Sequence, residues 1–445
     1  MAQATQEKSR WRAAFDAQSA RRPAPSWVEE LRREAVERFD AKGFPTTAEE
    51  DWKYTNVAPI ARADFAPVIA SEIEGETDAE TSVEPFIYAE ARASRLVFID
   101  GRFRPEHSAT DALPAGVVAV ELNEALQGAH AETLHTHLAR GAEDVRDGFE
   151  LLNTAFLDTG AFILIPQGVE VAAPIHLLFL STMRAGQRAT FPRIVVVAEP
   201  NSSATLIESY TGADEAAYLT DAVVDVSVGA GARLAHYKVQ REGEQGFHIA
   251  ATRAALDTDA SYDLTTITLG ARLSRHGIEV LLDHEGAECW VDGLYLVGDG
   301  QHADTHSLID HRRPHCTSHQ NYKGILDGKS RAVFNGRVFV RRDAQHTDAV
   351  QSNKNLLLSP EARVDTKPQL EIFADDVKCA HGATVGQLEE EQLFYLASRG
   401  LHMETARNLL TYGFAEEIVE KIRIDSIKAQ LDEAILNRLH ARLEA

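Results

Sequence analysis

The sequence predicts a mainly β protein, with a parallel β-helix core flanked by N-terminal and C-terminal α-helical domains. Units of a turn followed by a strand recur every 28 residues, at Ala204, Ala232, Ala260 and Glu288. Between residues 160 and 382 apolar side chains do not follow helical spacing, whereas they do at both ends of the chain. A period of this length without helices is typical of a solenoid rung with two strands and two turns. A meander or sandwich with evenly spaced strands is the alternative.

Residues 1–95 are predicted to form a helical region that ends in an acidic linker. Ser26 and Glu29 have the spacing of a capping box, and Gly43 predicts the end of the same helix. Apolar side chains lie between them at four-residue spacing: Trp27, Leu31, Ala35 and Phe39. Residues 71–85 are acidic and lose this periodicity, which indicates a linker or loop.

The rest of the chain is predicted to divide into three regions. Residues 96–159 form a mixed connection of hairpin and helix, because Asp100 and Gly101 provide a hairpin turn. Residues 160–382 form the β-helix core, and residues 383–445 a C-terminal helical domain. The last helix carries an apolar stripe: Ile424, Ile427, Leu431 and Ile435. Such a stripe must be covered by the chain's own core or by another protein.

Composition narrows the classes of partner. The 445 residues carry a formal net charge of −23, which argues against nucleic acid and anionic membranes because both attract basic surfaces. The N-terminus lacks the apolar region of a secretory signal, and no segment is apolar for long enough to span a membrane. Three widely spaced cysteines do not form a disulfide framework. We therefore expect a cytoplasmic protein.

Cys379 and His381 are the candidate metal-binding or cluster-binding residues. They lie two positions apart in a segment that is predicted to be a strand, so both side chains would face the same side. A thiol beside an imidazole is half of a metal site, and a stable tetrahedral site needs further ligands from elsewhere. The alternative is a buried thiol with a hydrogen-bonded histidine at the end of the solenoid.

Other motifs do not support a catalytic or nucleotide site. Residues 324–330 imitate a phosphate-binding loop, but the spacer is one residue short and the following segment predicts a strand where a helix is required. The histidine-rich region between His302 and His319 has no zinc-binding spacing. We expect these histidines to occupy turns, or to stack between rungs and hydrogen bond to the backbone.

The chain resembles the SufD family, whose members are scaffold proteins of the SUF iron–sulfur cluster assembly system. The sequence Cys-Ala-His-Gly-Ala-Thr at 379–384 has the SufD form, whereas the sister scaffold SufB has glutamates at the positions of Ala380 and Gly382. The matching segments extend over nearly the whole chain: 50–55, 152–156, 160–162, 309–311, 322–324, 334–336, 365–371 and 374–401.

The resemblance implies a right-handed parallel β-helix and a non-catalytic scaffold. SufD-like proteins pair with SufB through the β-helix and bind the ATPase SufC through their C-terminal helices. A transient iron–sulfur cluster is thought to form at the SufB–SufD interface, where a SufB cysteine and a SufD histidine contribute. That histidine matches His381, and Cys379 is its neighbour in the family pattern. No cofactor is expected to be bound permanently, and ATP hydrolysis is expected in SufC.

Two other functions remain open from the sequence. The first is a SufB-like scaffold that acts as a homodimer and uses Cys379 as the sulfur-accepting ligand; a homodimer of the isolated chain is open in either case. The second is a carbohydrate-active enzyme, because such enzymes also use β-helix folds. The missing secretion signal and the lack of a clear basic and calcium-binding cleft weaken the second alternative.

Overall fold

The turn-then-strand units form two sheets of mainly parallel strands, which wind around a common interior. The structure is a computed structural model that describes residues 2–21, 24–68, 82–143, 147–182, 187–213 and 217–444. The sheets make a β-solenoid of about seven turns, which confirms the predicted fold class. Sheet 1 contains β1 (Ala66–Pro67), β4 (Val118–Glu121), β5 (Gly160–Ile165), β7 (Arg188–Thr190), β8 (Arg193–Ala198), β10 (Tyr218–Val228), β12 (Phe247–Leu256), β14 (Leu273–Leu282), β16 (His302–His311), β18 (Arg331–Val340) and β20 (Arg363–Ile372). Sheet 2 contains β2 (Arg95–Ile99), β3 (Arg102–Phe103), β6 (Ile175–Ser181), β9 (Ser203–Gly212), β11 (Arg233–Arg241), β13 (Ser261–Thr268), β15 (Glu288–Val297), β17 (Thr317–Leu326), β19 (Asp348–Leu357) and β21 (Lys378–Gly386).

The uniform period of 28 residues is wrong in detail. Ala204 pairs with Leu234, and Leu234 pairs with Tyr262, so the first of these rungs is two residues longer than predicted. Ser261, not Ala260, pairs with Glu288. Strand register is held by the backbone ladder and by the buried face, whereas the turns between strands gain or lose residues without disturbing either.

One corner of the solenoid is a ladder of turns in the left-handed conformation. Its members stand in successive rungs with φ between 53° and 74°: Asn201, Gly231, Asp259, Gly286, His315 and His346. The backbone N–H of each donates to a carbonyl oxygen in the turn of the next rung, as from His315 to Gln345 at 2.9 Å. The imidazole rings of His315 and His346 stack at 4.6 Å. For His315, the expectation that histidines of this region occupy turns and stack between rungs is confirmed.

Helices cover the outer faces of both sheets. The N-terminal helices are α1 (Ala2–Arg21), α2 (Ser26–Lys42), α3 (Ala58–Arg62), α4 (Leu122–Gln127), α5 (Ala131–Glu143) and α6 (Gly148–Ala155), and the C-terminal helices are α7 (Glu390–Ser398), α8 (Met403–Val419) and α9 (Asp425–Glu444). Aromatic residues of the N-terminal part pack on sheet 1, where Phe65 meets Phe247 at 5.8 Å. The apolar stripe of α9 packs on sheet 2 against Ile207, Tyr237 and Val239, so the chain's own core covers it. Among the described residues, no helix has the length and apolar character needed to cross a membrane.

Three local predictions in the N-terminal half have different outcomes. The hairpin is confirmed, because β2 and β3 pair antiparallel around Asp100 and Gly101, both at positive φ. The capping box is wrong: Ser26 is already helical, and Pro25 occupies the cap position without a side-chain hydrogen bond. Most of the predicted acidic linker at 71–85 lies outside the described residues, but Val83 at its end is buried in an apolar cluster.

The interior of the solenoid holds charged as well as apolar side chains. Glu208 is fully buried, with its carboxylate 3.3 Å from Nε2 of His236 and 3.4 Å from Nζ of Lys238. Burial alone would raise the pKa of Glu208, but the Lys238 charge and the His236 hydrogen bond outweigh burial and hold that pKa below its ordinary range. Removing one partner would leave a buried charge uncompensated, which typically costs about 3–5 kcal/mol.

Acid should destabilise the fold through two buried neutral histidines. Burial lowers the pKa of His176 to about 3 and that of His311 to about 4, whereas unfolded histidine titrates near 6.5. The unfolded chain therefore takes up protons that the folded chain excludes. This contribution to stability is complete above pH 6.5 and is lost as the pH falls towards 4 and then 3. Its steepest slope is about 1.4 kcal/mol per pH unit for each histidine.

Urea unfolding between pH 7 and pH 4.5 measures this contribution. The double variant His176→Gln/His311→Gln should have a shallower pH dependence of the free energy of unfolding than the unmodified protein, whatever its stability at pH 7. His284→Gln is the matched control, because His284 lies in an exposed turn. Equal slopes in all three proteins would contradict the assignment.

Candidate functional site

The C-terminal end of the solenoid is open. β20 and β21 are the terminal strands of their sheets, and within the described chain no further strand pairs with their outer edges. The apolar side chains exposed there are Val350, Ile372, Phe373 and Val385. Phe373 is 59% exposed, although its ring contacts that of Phe339 at 5.3 Å. An exposed edge with apolar side chains is a template for pairing with another chain.

Cys379 and His381 both lie on β21, at this open end. Cys379 pairs in register with the buried Ala349, and His381 pairs with the buried Gln351. Because alternate residues share a face, both candidates continue the inward-facing rows of the preceding rung. Cys379 is half-buried and packs beside Val340 and Ala349, whereas His381 is exposed. The alternative of a buried thiol with a hydrogen-bonded histidine therefore does not describe this end of the solenoid.

The Cys379 thiol is not activated by its surroundings. Burial raises its pKa, and the nearby Asp348 charge raises it further, against a smaller opposing effect of the Ala349 backbone. Reactive cysteines have the opposite setting, with a lowered pKa in an electropositive environment. Among the described residues, no group of three or more His, Cys, Asp and Glu side chains is arranged to hold a metal ion. Cys379 and His381 together can supply two ligands of a larger site.

The histidines between His302 and His319 have separate partners. His302 contacts Thr55 at 3.0 Å, and His306 contacts the buried Asp304 at 3.1 Å. His311 contacts Ser318 at 2.8 Å inside the solenoid, and the His319 ring stacks on Trp290. His302 and His306 both lie at Asp304, the first through Thr55 and the second directly, whereas His311 and His319 have partners elsewhere in the solenoid.

The segment 50–55 fastens the N-terminal region to sheet 1. The Arg275 guanidinium lies 3.7 Å from the centre of the buried Trp52 ring and forms an ion pair with Asp304. Thr55 also hydrogen bonds to Asp304. Beside this cluster lies a cavity of about 520 Å³, between the N-terminal region and the outer face of sheet 1. Its Arg253 is paired with Glu150, so both charges are compensated within the cavity wall.

The segment 322–324 shows why charged residues occur within these strands. Tyr322 points inward and its hydroxyl lies 2.9 Å from that of Thr266, while Lys323 donates outward to the Phe414 carbonyl in α8 at 3.0 Å. A side chain at Gly324 would lie 2.1 Å from the Tyr295 ring. Because side chains alternate between the two faces of the strand, Tyr322 packs in the core and Lys323 contacts the helix. Gly324 faces inward again and leaves room for the Tyr295 ring.

A second exposed apolar surface lies on α7 and α8. Phe394 is 73% exposed, and its exposed apolar neighbours on the same two helices are Tyr395, Met403 and Leu409. Other faces of α8 are anchored: Lys323 also pairs with Glu417, and Ala415 and Ile418 are buried against sheet 2. The α7–α8 surface is therefore held in place by the solenoid while it remains open to contact.

Sequence reasoning missed the charged cluster inside the solenoid. Glu208, His236 and Lys238 lie on the same inward face as apolar residues such as Leu206 and Leu234, two or four positions along the strand. The sequence spacing could have revealed them, because a charged residue two positions from inward-facing apolar residues must itself face inward, where it requires a buried partner. The partners stand on adjacent rungs, and their pairing depends on the true register.

Two family models match the chain, and together they cover most of its length. Residues 12–177 match the SufBD protein N-terminal region, and residues 180–414 match the SufBD core domain of SUF system iron–sulfur cluster assembly. The chain belongs to the SufBD family. It is 31% identical to the iron–sulfur cluster assembly protein SufD of Escherichia coli, over 97% of this chain and 96% of that protein. It is 36% identical to an iron–sulfur cluster assembly SufBD family protein of Synechocystis, over 91% of this chain and 89% of the relative.

The raised pKa of Cys379 predicts slow alkylation at neutral pH. Iodoacetamide should modify Cys379 more slowly than glutathione at pH 7.5, and the rate should rise steeply towards pH 10 as the thiolate forms. Cys289 and Cys316 are buried and should stay unmodified in the folded protein. Peptide mass spectrometry over this pH range gives the rate for each cysteine, and Cys379→Ser is the control. A rate for Cys379 that exceeds that of glutathione at pH 7.5 would contradict the assignment.

Proposed function

We propose that this protein is a SufD-type scaffold that pairs with SufB and binds the ATPase SufC, in order to assemble iron–sulfur clusters in the cytoplasm. The single observation that carries this proposal is the open solenoid end, where two unpaired strand edges, exposed apolar side chains and two candidate ligands coincide. Membership of the SufBD family and similarity to SufD proteins support it.

Pairing with SufB takes place at the β20 and β21 edges. Backbone N–H and C=O groups along an unpaired edge gain partners when a second chain adds its own strands, and Phe373 and Val385 are buried at the same time. A solenoid normally protects its terminal rung from such contacts. In this protein the unprotected rung is also the one that carries His381, so partner binding and completion of the site occur together.

The cluster is cargo that the two scaffolds share. His381 provides an exposed imidazole, and Cys379 can provide a second ligand once partner binding or iron removes its proton. Two ligands from this chain leave the remainder to SufB. A site divided between two proteins releases its cluster when the proteins separate, which suits a scaffold that must pass the cluster on.

SufC binds the α7–α8 surface. Phe394, Tyr395 and Leu409 form an exposed apolar patch on helices that are anchored to sheet 2 through Lys323 and the α9 stripe. ATP-driven movement of SufC would therefore be transmitted to the solenoid, to open or remodel the shared interface. The ATPase activity belongs to SufC, and this chain acts as a non-catalytic scaffold.

The second candidate is a SufB-like scaffold that works as a homodimer, with Cys379 as the sulfur acceptor. The raised Cys379 pKa disfavours it, since a sulfur acceptor should attack as a thiolate. Persulfide mapping after incubation with a cysteine desulfurase separates the two: the SufD-type function predicts little sulfur on Cys379. A carbohydrate-active enzyme was suggested only because such enzymes also use β-helix folds. Membership of the SufBD family accounts for the β-helix without such an activity.

Replacing His381 by alanine should leave folding intact, because the side chain is exposed, yet lower cluster assembly by about tenfold or more. The measurement is iron and acid-labile sulfide after co-purification with SufB and SufC and anaerobic reconstitution, alongside maturation of a client protein in cells. His284→Ala, also an exposed histidine, is the matched control and should behave like the unmodified protein. Normal assembly in the His381→Ala complex would remove His381 from the site.

Replacing Phe394 and Leu409 by alanine should weaken SufC binding by about tenfold or more, which corresponds to about 1.4 kcal/mol. The thermal unfolding midpoint and SufB pairing should be unchanged, because both side chains are exposed and lie outside β20 and β21. Calorimetric titration with SufC gives the affinity. Tyr54→Ala removes an exposed aromatic residue of the N-terminal region and serves as the control. Unchanged SufC affinity in the double variant would place the SufC surface elsewhere.

A further inference from the structure

We propose that Gln351 is a positioning residue for His381: its side-chain carbonyl oxygen accepts the imidazole N–H when the other ring nitrogen binds the cluster. This inference rests on the proposed function, in which His381 is a ligand of the shared cluster. Gln351 itself touches neither iron nor sulfide and acts only through the His381 ring.

Strand register places the two residues together. Gln351 on β19 is the direct partner of His381 on β21, and both lie on the inward-facing side of sheet 2. Gln351 is only 1% exposed, so its amide lies inside the solenoid beneath the open end. Directly paired residues of neighbouring strands lie within reach of each other's side chains. An imidazole at 381 can therefore turn one ring nitrogen towards the interior while the other faces a partner.

The Gln351 amide is already oriented. Its Nε2 donates to Oε1 of Gln320 at 2.8 Å, and Nε2 of Gln320 in turn donates to Oγ of Ser307 at 2.9 Å. This chain of hydrogen bonds crosses the interior from β19 through β17 to β16. Because Nε2 is committed to it, the carbonyl oxygen Oε1 is the atom left over. Oε1 is buried and has no hydrogen-bond partner within the described chain.

Space for this amide is created on the opposite sheet. Gly336 on β18 faces the interior, and a Cβ there would lie 2.5 Å from Nε2 of Gln351. Gly336 has no positive φ that would require glycine for the backbone. The glycine therefore provides room for a glutamine whose own acceptor is unsatisfied, in the rung directly below the open end.

The two candidate ligands differ in what lies beneath them. Ala349 is the partner of Cys379 and offers no polar side chain, whereas the side chain of Gln351 offers a carbonyl oxygen to His381. Histidines that bind metals usually donate their second N–H to a carbonyl or carboxylate, which fixes the tautomer and the ring orientation and strengthens the ligand. The structure supplies such an acceptor under the histidine only.

The test uses the complex with SufB and SufC, loaded with a cluster anaerobically and challenged with an iron chelator. Gln351→Leu should lose its cluster about 10–100-fold faster than the unmodified complex. In pulsed electron paramagnetic resonance of the reduced cluster, the nitrogen coupling of the histidine ligand should change. Gln351→Glu keeps an acceptor oxygen and should restore much of the retention. Thr266→Val, which removes another buried hydrogen bond inside the solenoid, is the structural control and should retain the cluster.

Double variants separate this inference from the proposed function. In a complex that carries His381→Ala, Gln351→Leu should add no further loss of cluster, because the residue acts only through the histidine. If His381→Ala impairs retention but Gln351→Leu matches the unmodified protein, the positioning role is wrong while the proposed site stands. Equal losses for Gln351→Leu and Thr266→Val, with an unchanged nitrogen coupling, would also overturn it. If His381→Ala itself has no effect, the site assignment fails first.

Discussion

The backbone ladder between rungs is the constraint on which the rest of the structure depends. Each strand from β8 to β19 hydrogen bonds through its N–H and C=O groups to the two strands beside it in its sheet, which belong to the preceding and the following rung. Each rung is therefore stabilised by its two neighbours. Such a ladder must stop somewhere. At the N-terminal end, β2, β3 and β4 close the sheets, partly by antiparallel pairing. At the C-terminal end β20 and β21 are left open, and function is proposed where the ladder remains unfinished.

Polar side chains are buried along the whole solenoid, and those beneath the open end continue this pattern. Apolar residues fill the middle of the solenoid, but buried polar side chains run along it in connected groups, from Glu208 and Lys238 to Gln320 and Gln351. Members of these groups pair across neighbouring rungs, as Glu208 does with Lys238, and several buried polar atoms of the described residues, Oε1 of Gln351 among them, have no hydrogen-bond partner. The Gln351 acceptor differs from the others in its position: it lies below the exposed His381, whose imidazole is proposed to donate to it when a partner completes the cluster site.

The two helical regions divide the outer surface between them. The N-terminal region is fastened to sheet 1 by Trp52, Arg275 and Asp304, and the C-terminal helices to sheet 2 by Lys323 and the α9 stripe. Both outer faces are thereby occupied by the chain itself. Clustered exposed apolar side chains of the described residues lie at the solenoid end and on α7 and α8, the two surfaces where partner binding is proposed.

The sequence by itself determined the fold class, the helical ends and the pair at Cys379 and His381, because strand alternation and repeated turns are local properties. It also predicted that His315 would sit in a turn. It could not determine the register, since turns of unequal length shift each rung, and it therefore missed the Glu208–Lys238 pair and the position of Gln351 beneath His381. Only the tertiary structure decided that the α9 stripe is covered internally, that Cys379 is half-buried and that His381 is exposed. These outcomes depend on which rung comes last, and contacts between residues about thirty positions apart are set by stacking rather than by local pattern.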